Sequence, residues 1–260
     1  MGTLQRVLRR VLPAQQSGGK GKPGGTGPRG VDYEGAWNQY ARQWSQRFPG
    51  LRHLGDEWTG QEAGAAQTVE EYTRLIEEKY VTPYVTKDDT VLEIGVGGGR
   101  TAVLLRAHGK RLICADIAAD MLAATRERLG DDGVDYVKID GIRLAGIEPK
   151  SVDVAFCFDT MVHIEPRDIY NYLTRVPALM RGRRICLFHH SNMLSERGWN
   201  RFLGEWDKNL MGKRHGRSFS VMTDSIMERF LTHLGYEILV KDTESIPRDC
   251  VWVVRAPEVD

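Results

Sequence analysis

The amino-acid sequence predicts an α/β fold: a doubly wound seven-stranded sheet, parallel with one antiparallel strand in a C-terminal hairpin, and helices on both faces. Three observations support this prediction. Short apolar runs alternate with amphipathic segments of helical periodicity, as in a parallel sheet with crossover helices. Residues 91–94 form an apolar run that leads through a glycine-rich turn into a helical segment, the first half of a nucleotide-binding βαβ unit. The last two apolar runs are joined by too few residues for a crossover, so we expect them to pair antiparallel.

Composition divides the chain into three parts. Residues 1–30 are basic, rich in glycine and free of acids, so we expect a flexible tail. Residues 31–87 are expected to form an N-terminal helical cap. Residues 88–260 are expected to form the main domain, with a polar, aromatic and basic insertion at 192–220.

Each element within these parts follows from its periodicity. Aromatic residues at helical spacing between Trp37 and Phe48 predict the first helix, and Thr68 followed by Glu71 predicts the start of the second. Residues 152–158 are nearly all apolar, as an internal parallel strand requires. The other predicted strands are 91–94, 111–116, 134–140, 183–190, 236–241 and 251–255, and the other predicted helices are 101–107, 118–129, 168–180 and 222–234.

The overall composition is that of an ordinary globular protein. With 260 residues, 41% of them hydrophobic and 27% charged, the chain can bury one sizeable core. Its net charge of +1 gives no global field for nucleic acid, and no apolar run approaches the ~20 residues of a membrane span. The four cysteines show no Cys-x-x-Cys or metal-ligand spacing, so we expect buried, reduced thiols of a cytoplasmic protein.

The glycine-rich turn carries the most specific signal. Gly95, Gly97 and Gly99 fit neither the dinucleotide fingerprint nor the phosphate-binding Gly-x-x-x-x-Gly-Lys-Ser/Thr pattern. Glu93 stands just ahead of the turn, where a carboxylate suits a cationic ligand better than a phosphate. The spacing Glu93-x-Gly95-x-Gly97-x-Gly99 resembles motif I of class I S-adenosylmethionine-dependent methyltransferases, whose cofactor has a sulfonium and an amino group but no phosphate.

The ends of the next three strands extend this resemblance, which covers roughly residues 88–256. Asp116 ends the second strand, Asp140 and Gly141 end the third, and Phe158 ends the fourth. Ligands of doubly wound sheets bind outside the carboxyl ends of the strands, so we expect these residues to gather around the glycine turn. The resemblance implies that S-adenosylmethionine is the cofactor. It also implies that Asp116 accepts from both ribose hydroxyls and Asp140 from the adenine amino group.

Candidate catalytic residues also follow strand ends. Asp159 and His163 follow the fourth strand, and the fifth strand ends with His189 and His190. Methylation of an alcohol needs a base, and a neutral imidazole near pH 7 suits that role. We expect a histidine of the 189–190 pair to be that base, with His163 second. Asp159 could instead help to hold magnesium, but a metal is not favoured, because the fifth strand ends in His-His-Ser-Asn where metal-dependent catechol-type relatives show an acid followed by Asn.

The sequence therefore predicts an S-adenosylmethionine-dependent O-methyltransferase that moves a methyl group by in-line displacement to a hydroxyl of a saccharide or other small molecule. The saccharide rests on a looser likeness: residues 54–58, 189–192 and 248–250 look like those of methyltransferases from bacterial polysaccharide and sugar pathways. The insertion at 192–220 is expected to form the acceptor wall. The sequence leaves a homodimer open.

Two alternatives remain at this point. One is an RNA methyltransferase that uses the basic tail and the basic cluster at 213–217 as a phosphate footprint. The near-neutral charge argues against it, so no nucleic-acid partner is expected. The other is a non-catalytic module that only binds S-adenosylmethionine. A gel shift with total RNA at two salt concentrations and calorimetric titration with the cofactor would separate the three.

Overall fold

A single mixed sheet forms the centre of the computed structural model, which describes residues 30–210 and 214–259. The order of its strands is β3-β2-β1-β4-β5-β7-β6, and β7 runs antiparallel to both neighbours while all other neighbours pair in parallel. This confirms the predicted fold class and its closing hairpin. The strands are β1 (Thr90–Ile94), β2 (Arg111–Asp116), β3 (Val134–Lys138), β4 (Val152–Cys157), β5 (Met180–Ser191), β6 (Glu237–Asp242) and β7 (Asp249–Arg255).

Helices occupy most of the connections between these strands. Within the described ranges, none of them combines the length and the apolar character needed to traverse a bilayer. The π-helical turn Glu77–Val81 extends α2, and the 3-10 turn Trp206–Asn209 follows α6. The α-helices are α1 (Tyr33–Arg47), α2 (Val69–Ile76), α3 (Arg100–His108), α4 (Ala119–Leu129), α5 (Pro166–Leu179), α6 (Glu196–Leu203) and α7 (Asp224–His233).

Local sequence sets several of these boundaries. The predicted capping box forms at the start of α2, where the Glu71 N–H donates to Thr68 Oγ1 at 3.1 Å and the Thr68 N–H donates to Glu71 Oε2 at 3.3 Å. Pro166 stands in the first turn of α5, where a missing N–H leaves no hydrogen bond unmade.

The strand ends of β3 and β5 differ from their predictions in ways that affect the candidate site. β3 ends before Asp140, because the carboxylate of Asp140 accepts from the Ile142 N–H at 2.9 Å and turns the chain. β5 continues through Ser191, because β7 begins at Asp249 and pairs with β5 to its last residue. The end of β5 is therefore covered by β7.

Apolar side chains alternate between the two faces of the sheet. Leu92 and Ile94 of β1 face a core cluster built with α5 and α7, whereas Val91 faces a cluster built with α2, α3 and α4. Helices thus cover both faces, as predicted. β1 is fully buried, while the edge strands β3 and β6 are partly exposed. All four cysteines are buried and unpaired.

Helix α1 covers the carboxyl end of the sheet by packing on α4. Trp44 and Leu54 form a small cluster with Ala118 and Met121. The N–H of Asp120 also donates to Asn38 Oδ1 at 3.0 Å, which ties the start of α4 to α1. The predicted tail lies outside the described residues except for Gly30, and the division of the chain at residue 87 stays a prediction.

Candidate active site

A cavity of about 350 Å³ lies at the carboxyl ends of β1, β2 and β4. The loops after these strands line it, together with α1, the cap loop at residues 54–58 and part of the insertion. Its lining combines glycine backbone, carboxylates, aromatic rings and arginines. The cavity thus occupies the position at which doubly wound sheets bind ligands.

The glycine turn presents bare backbone to this cavity. Gly95, Gly97 and Gly99 have φ angles of +76°, +57° and +81°, the left-handed region that favours glycine. A Cβ on Gly97 would meet no atom within 4 Å, so the space beside it is open to a ligand. A Cβ on Gly98 would lie 2.0 Å from the backbone oxygen of Leu54. The turn therefore faces a ligand at one glycine and packs against the cap loop at the next.

Glu93 brings a carboxylate to the cavity beside this turn. Its side chain lines the cavity although only 2% of the residue is exposed. Oε2 is buried and has no hydrogen-bond partner within the described ranges. Burial raises the pKa of Glu93 well above its usual value, and the charge of Arg100 opposes this rise. An unpartnered buried carboxylate oxygen is costly, and a cationic or N–H-bearing ligand group would relieve that cost.

Asp116 closes the glycine turn from the end of β2. Its Oδ2 accepts from the Gly97 N–H at 3.0 Å, and its Oδ1 accepts from the Ala118 N–H at 2.8 Å. Each carboxylate oxygen has a second lone pair, so two ligand hydroxyls can still donate to this side chain. Burial raises the pKa of Asp116 to about 6, although the Ala118 and Gly97 N–H groups favour the charged form.

The remaining predicted cofactor-binding residues, Asp140, Gly141 and Phe158, differ in whether they reach the cavity. Gly141 lines the cavity together with Ile117, and Phe158 lines it from the end of β4. Asp140 is exposed and is held by its own turn, in which Oδ2 accepts from Arg143 Nε at 2.8 Å. The Arg143 N–H and this bond lower the pKa of Asp140 to about 2. The adenine contact of Asp140 stays a prediction, and it requires the carboxylate to leave Arg143.

Asp159 lines the cavity but already belongs to an ion-pair network. It adopts a φ of +53°, accepts from the Tyr72 hydroxyl at 3.0 Å and pairs with Arg100. Burial raises its pKa, but the contact with His189 and the charge of Arg100 outweigh burial and hold the pKa below its usual range. Among the described residues, no three His, Cys, Asp or Glu side chains are grouped so as to hold a metal ion.

His190 is a core residue of the sheet. Trp252 Nε1 donates to His190 Nε2 at 2.9 Å, so the proton lies on Nδ1, which donates to the Ser191 oxygen at 2.7 Å. The ring is fully buried and does not line the cavity. Both nitrogens are occupied, and burial lowers the pKa of His190 to about 4. Its one acceptor nitrogen is already bonded to Trp252, so it has no free lone pair for the proton of a methyl acceptor.

His189 is likewise withdrawn from the cavity. The Asp159 N–H donates to Nδ1 at 3.0 Å, and since a backbone N–H can only donate, the ring proton lies on Nε2. Nε2 is 3.3 Å from Asp249 Oδ2. The ring is fully buried and does not line the cavity. Neither histidine of this pair lines the cavity, because β7 pairs with β5 to its last residue, and a catalytic role for either stays a prediction.

His163 is the histidine that reaches the cavity wall. It is half-buried, and its ring packs edge-on against Trp37 of α1 with centroids 5.1 Å apart. Nδ1 is buried without a hydrogen-bond partner in the described parts of the chain. Burial and the charge of Arg248 lower the pKa of His163 to about 4. The ring is therefore neutral at pH 7.

Sequence reasoning missed several residues of the cavity. Arg100 and Arg248 line it and pair with Asp159 and Asp249, contacts that no spacing in the sequence reveals. Glu57 accepts from Trp44 Nε1 at 2.6 Å and from the Gly55 N–H at 2.8 Å. For Glu57, the sequence offered a signal in composition, since this acid stands next to Trp58 in the cap loop.

Comparison with known proteins agrees with this fold. A family model described as "Methyltransferase domain" matches residues 92–178, which include the glycine turn, Asp116 and Asp159. A protein of Claviceps purpurea (strain 20.1) called "Methyltransferase" is 36% identical over 81 residues, 31% of this chain. The chain spans only 25% of the length of that curated relative.

Solved structures share the whole architecture. The PH0226 protein of Pyrococcus horikoshii OT3 matches with a TM-score of 0.60 at 15% identity over 82% of this chain and 99% of its own. Magnesium protoporphyrin IX methyltransferase of Synechocystis PCC 6803, solved with S-adenosylhomocysteine (SAH) bound, matches with a TM-score of 0.59 at 14% identity over 86% of this chain and 98% of its own. Residues 92–178 thus match the sequence model of a methyltransferase domain, and the solved structures share the Rossmann-like fold of this chain.

Proposed function

We propose that this protein uses S-adenosylmethionine to methylate an oxygen of a small acceptor, with His163 as the general base. The observation that carries the proposal is the pairing of an open backbone at Gly97 with the buried, unpartnered carboxylate oxygen of Glu93. A phosphate-bearing ligand would disfavour the charged form of this buried acid still further, whereas the cationic groups of S-adenosylmethionine would stabilise that form.

The residues around the glycine turn fit the remaining parts of this cofactor. The free lone pairs of Asp116 suit the two ribose hydroxyls. Ile117, Gly141 and Phe158 give an apolar wall for a flat adenine ring. When bound, S-adenosylmethionine supplies an electrophilic methyl group. Helix α1 and the cap loop also line this region of the cavity.

His163 suits the acceptor side of the cavity. Its low pKa keeps the ring neutral, so that the imidazole, which lines the cavity, can take the proton of an acceptor hydroxyl. Trp37 and Phe219 also line the cavity and offer flat apolar faces to a ring-shaped acceptor. A saccharide hydroxyl is our candidate acceptor, on the sequence likeness and these stacking faces.

Replacement of the base tests the proposal. His163→Gln should lower turnover roughly 10²–10⁴-fold while SAH affinity stays within about twofold. His233→Gln, on the exposed end of α7, is the matched control and should change neither. Turnover with labelled S-adenosylmethionine and calorimetric titration with SAH are the measurements.

The pH profile gives a second readout of the same base. Because the pKa of His163 is about 4, the neutral form persists well below pH 6.5, and kcat at saturating cofactor should hold down to about pH 5. Turnover within threefold of the parent in His163→Gln would remove His163 as the base without touching cofactor use. A parent that does not bind SAH would overturn the proposed function itself.

A further inference from the structure

Arginines are prominent in the cavity wall. Four line it: Arg100, Arg201, Arg217 and Arg248. Carboxylates neutralise three of them: Arg100 pairs with Asp159, Arg248 with Asp249 at 2.7 Å, and Arg201 with Glu62 at 3.1 Å. Such paired guanidiniums are parts of the wall rather than free charges.

Arg217 is the exception. No carboxylate lies within salt-bridge distance of it among the described residues, and its Nε is buried without a hydrogen-bond partner there. Its charged neighbour is another cation, Arg47, whose charge lowers the pKa of Arg217 together with burial, the larger cause. Outside the described ranges, residues 1–29 and 211–213 contain no acid. The remaining residue, Asp260, comes two residues after Glu258, which pairs with Arg184 in the first half of β5, toward the sheet edge opposite the cavity. A half-buried guanidinium with no counter-charge is costly, and a ligand anion would relieve it.

The backbone holds Arg217 in this place. Gly216 packs so closely on the start of α1 that a Cβ would lie 2.7 Å from the Asp32 oxygen. Three residues after Arg217 the chain is held again, where the Ser220 N–H donates to the Val162 oxygen at 2.8 Å. The position of the guanidinium is therefore set by the fold.

Aromatic rings connect Arg217 to the proposed base. The Arg217 guanidinium stacks on Tyr40 at 5.0 Å, Tyr40 packs on Trp37 at 5.7 Å, and Trp37 packs on His163. Glu57 also contacts Tyr40, but it already accepts from the Tyr40 hydroxyl, Trp44 and Gly55. The free cation thus lies on the same wall as the base and two rings away from it.

We propose that the methyl acceptor carries a carboxylate or phosphate group that pairs with Arg217 while its reacting oxygen lies at His163. This inference rests on the proposed function and specifies its substrate class as an anionic hydroxy compound. Tyr40 and Trp37 would pack along the body of such an acceptor. A planar guanidinium binds carboxylate and phosphate alike through two parallel hydrogen bonds, so the geometry defines an oxyanion and the experiment separates the two sources.

The test fractionates acceptors by charge before the reaction. A cell extract of small molecules is passed over an anion-exchange resin, and each fraction is incubated with the full-length protein and labelled S-adenosylmethionine. The bound fraction should carry the acceptor activity. Phosphatase treatment of that fraction should abolish the activity if the anion is a phosphate ester and leave it if the anion is a carboxylate.

Variants tie the selectivity to Arg217. At limiting acceptor, Arg217→Gln should lower the rate at least tenfold, and Arg217→Lys should retain more activity than Arg217→Gln. Arg47→Gln is the matched control, because Arg47 stacks on the same Tyr40 ring at 5.6 Å but is exposed and does not line the cavity. It should stay within about twofold of the parent.

Two results would overturn the inference: acceptor activity in the unbound fraction, or equal rates for Arg217→Gln and Arg47→Gln. SAH affinity, measured by calorimetry on each variant, should stay unchanged, which separates loss of the acceptor from loss of the cofactor. If the unmodified protein does not bind SAH in the calorimeter, the proposed function itself fails. This measurement does not use the anion-exchange fractions, so the two failures can be told apart.

Discussion

Gly97 and Gly98 are neighbours with different tasks. Gly97 has a φ of +57° and open space where a Cβ would be, so its backbone is available to a ligand. Gly98 has no such space, because the backbone of Leu54 lies against it. Gly97 is therefore available for binding and Gly98 is needed for packing, although the two are adjacent glycines of the same motif.

Alanine at each position should separate these tasks. Gly97→Ala should cost about 1–2 kcal/mol of folding free energy, from the left-handed backbone, but reduce SAH affinity at least tenfold. Gly98→Ala should cost about 1–3 kcal/mol through overpacking and loosen the cap loop. Chemical unfolding and calorimetric titration check both variants. Parent-like SAH affinity in Gly97→Ala would contradict the assignment of the ligand to this turn.

Asp116 should make cofactor binding depend on pH. Its pKa is raised to about 6, so its carboxylate becomes protonated as the pH falls through that value. The protonated form has lost acceptor capacity for ribose hydroxyls, so SAH affinity should fall about tenfold, or about 1.4 kcal/mol, for each unit below pH 6. Titrations between pH 5 and 7.5 measure this slope.

Asp140→Asn is the matched comparison for that slope. The pKa of Asp140 is about 2, so it stays charged across the whole range. The variant can change the affinity if Asp140 contacts adenine, but the pH slope should match that of the parent. A parent whose affinity does not change between pH 5 and 7 would show that the Asp116 carboxylate is not needed for binding.

At the scale of elements, Glu57 holds the cap together. Its carboxylate accepts from Tyr40 and Trp44 of α1 and from Gly55 of the cap loop. Asp56 in the same loop pairs with Arg128 of α4 at 2.9 Å. Polar contacts thus join α1, the cap loop and α4 beside the cavity.

Removing this carboxylate should loosen α1. Glu57→Ala leaves several partly buried donors without an acceptor and should cost about 1–3 kcal/mol of stability. Faster amide hydrogen exchange along α1 is the specific readout. Glu34→Ala on the same helix is the control, because its pair with Lys138 is exposed and should contribute less than about 1 kcal/mol. Equal effects of the two variants would mean that Glu57 does not organise the cap.

At the scale of the whole molecule, a chain of buried charges joins the cap, the sheet and the hairpin. Arg100 pairs with Asp159, His189 lies between Asp159 and Asp249, and Arg248 pairs with Asp249. Arg248 also stacks on Trp58 of the cap loop at 5.0 Å. The residues of this network come from distant parts of the sequence, and three of them, Arg100, Asp159 and Arg248, line the cavity.

Breaking the network should be costly. Asp249→Ala leaves the buried Arg248 guanidinium without its partner and should cost about 3–5 kcal/mol of unfolding free energy. Glu237→Ala removes one partner of the exposed pair with Arg255 and should cost less than about 1 kcal/mol. Urea unfolding compares the two. A loss below about 1 kcal/mol in Asp249→Ala would show that the network is not a structural support.

Most of the fold could be predicted from the sequence, because its causes are local. Apolar runs specified the strands, Thr68 and Glu71 specified a helix start, and the short final connection specified the hairpin. The glycine turn and Asp116 were also predicted to adjoin, and they do. Asp140 was placed in the same group, yet its carboxylate stays with Arg143. The spacing of residues in the sequence does not show whether a side chain bonds within its own turn or extends into a cavity.

The sequence by itself thus determined the sheet, the edge at which ligands bind and the turn that meets them, since strand periodicity and glycine backbone freedom act over a few residues. Only the tertiary structure decided which histidine faces the cavity, because β7 covers the end of β5 and leaves His163 at the wall. It also decided which arginine is free. Whether a charge is neutralised depends on the acids that the fold brings near it, and for Arg217 the described fold brings none.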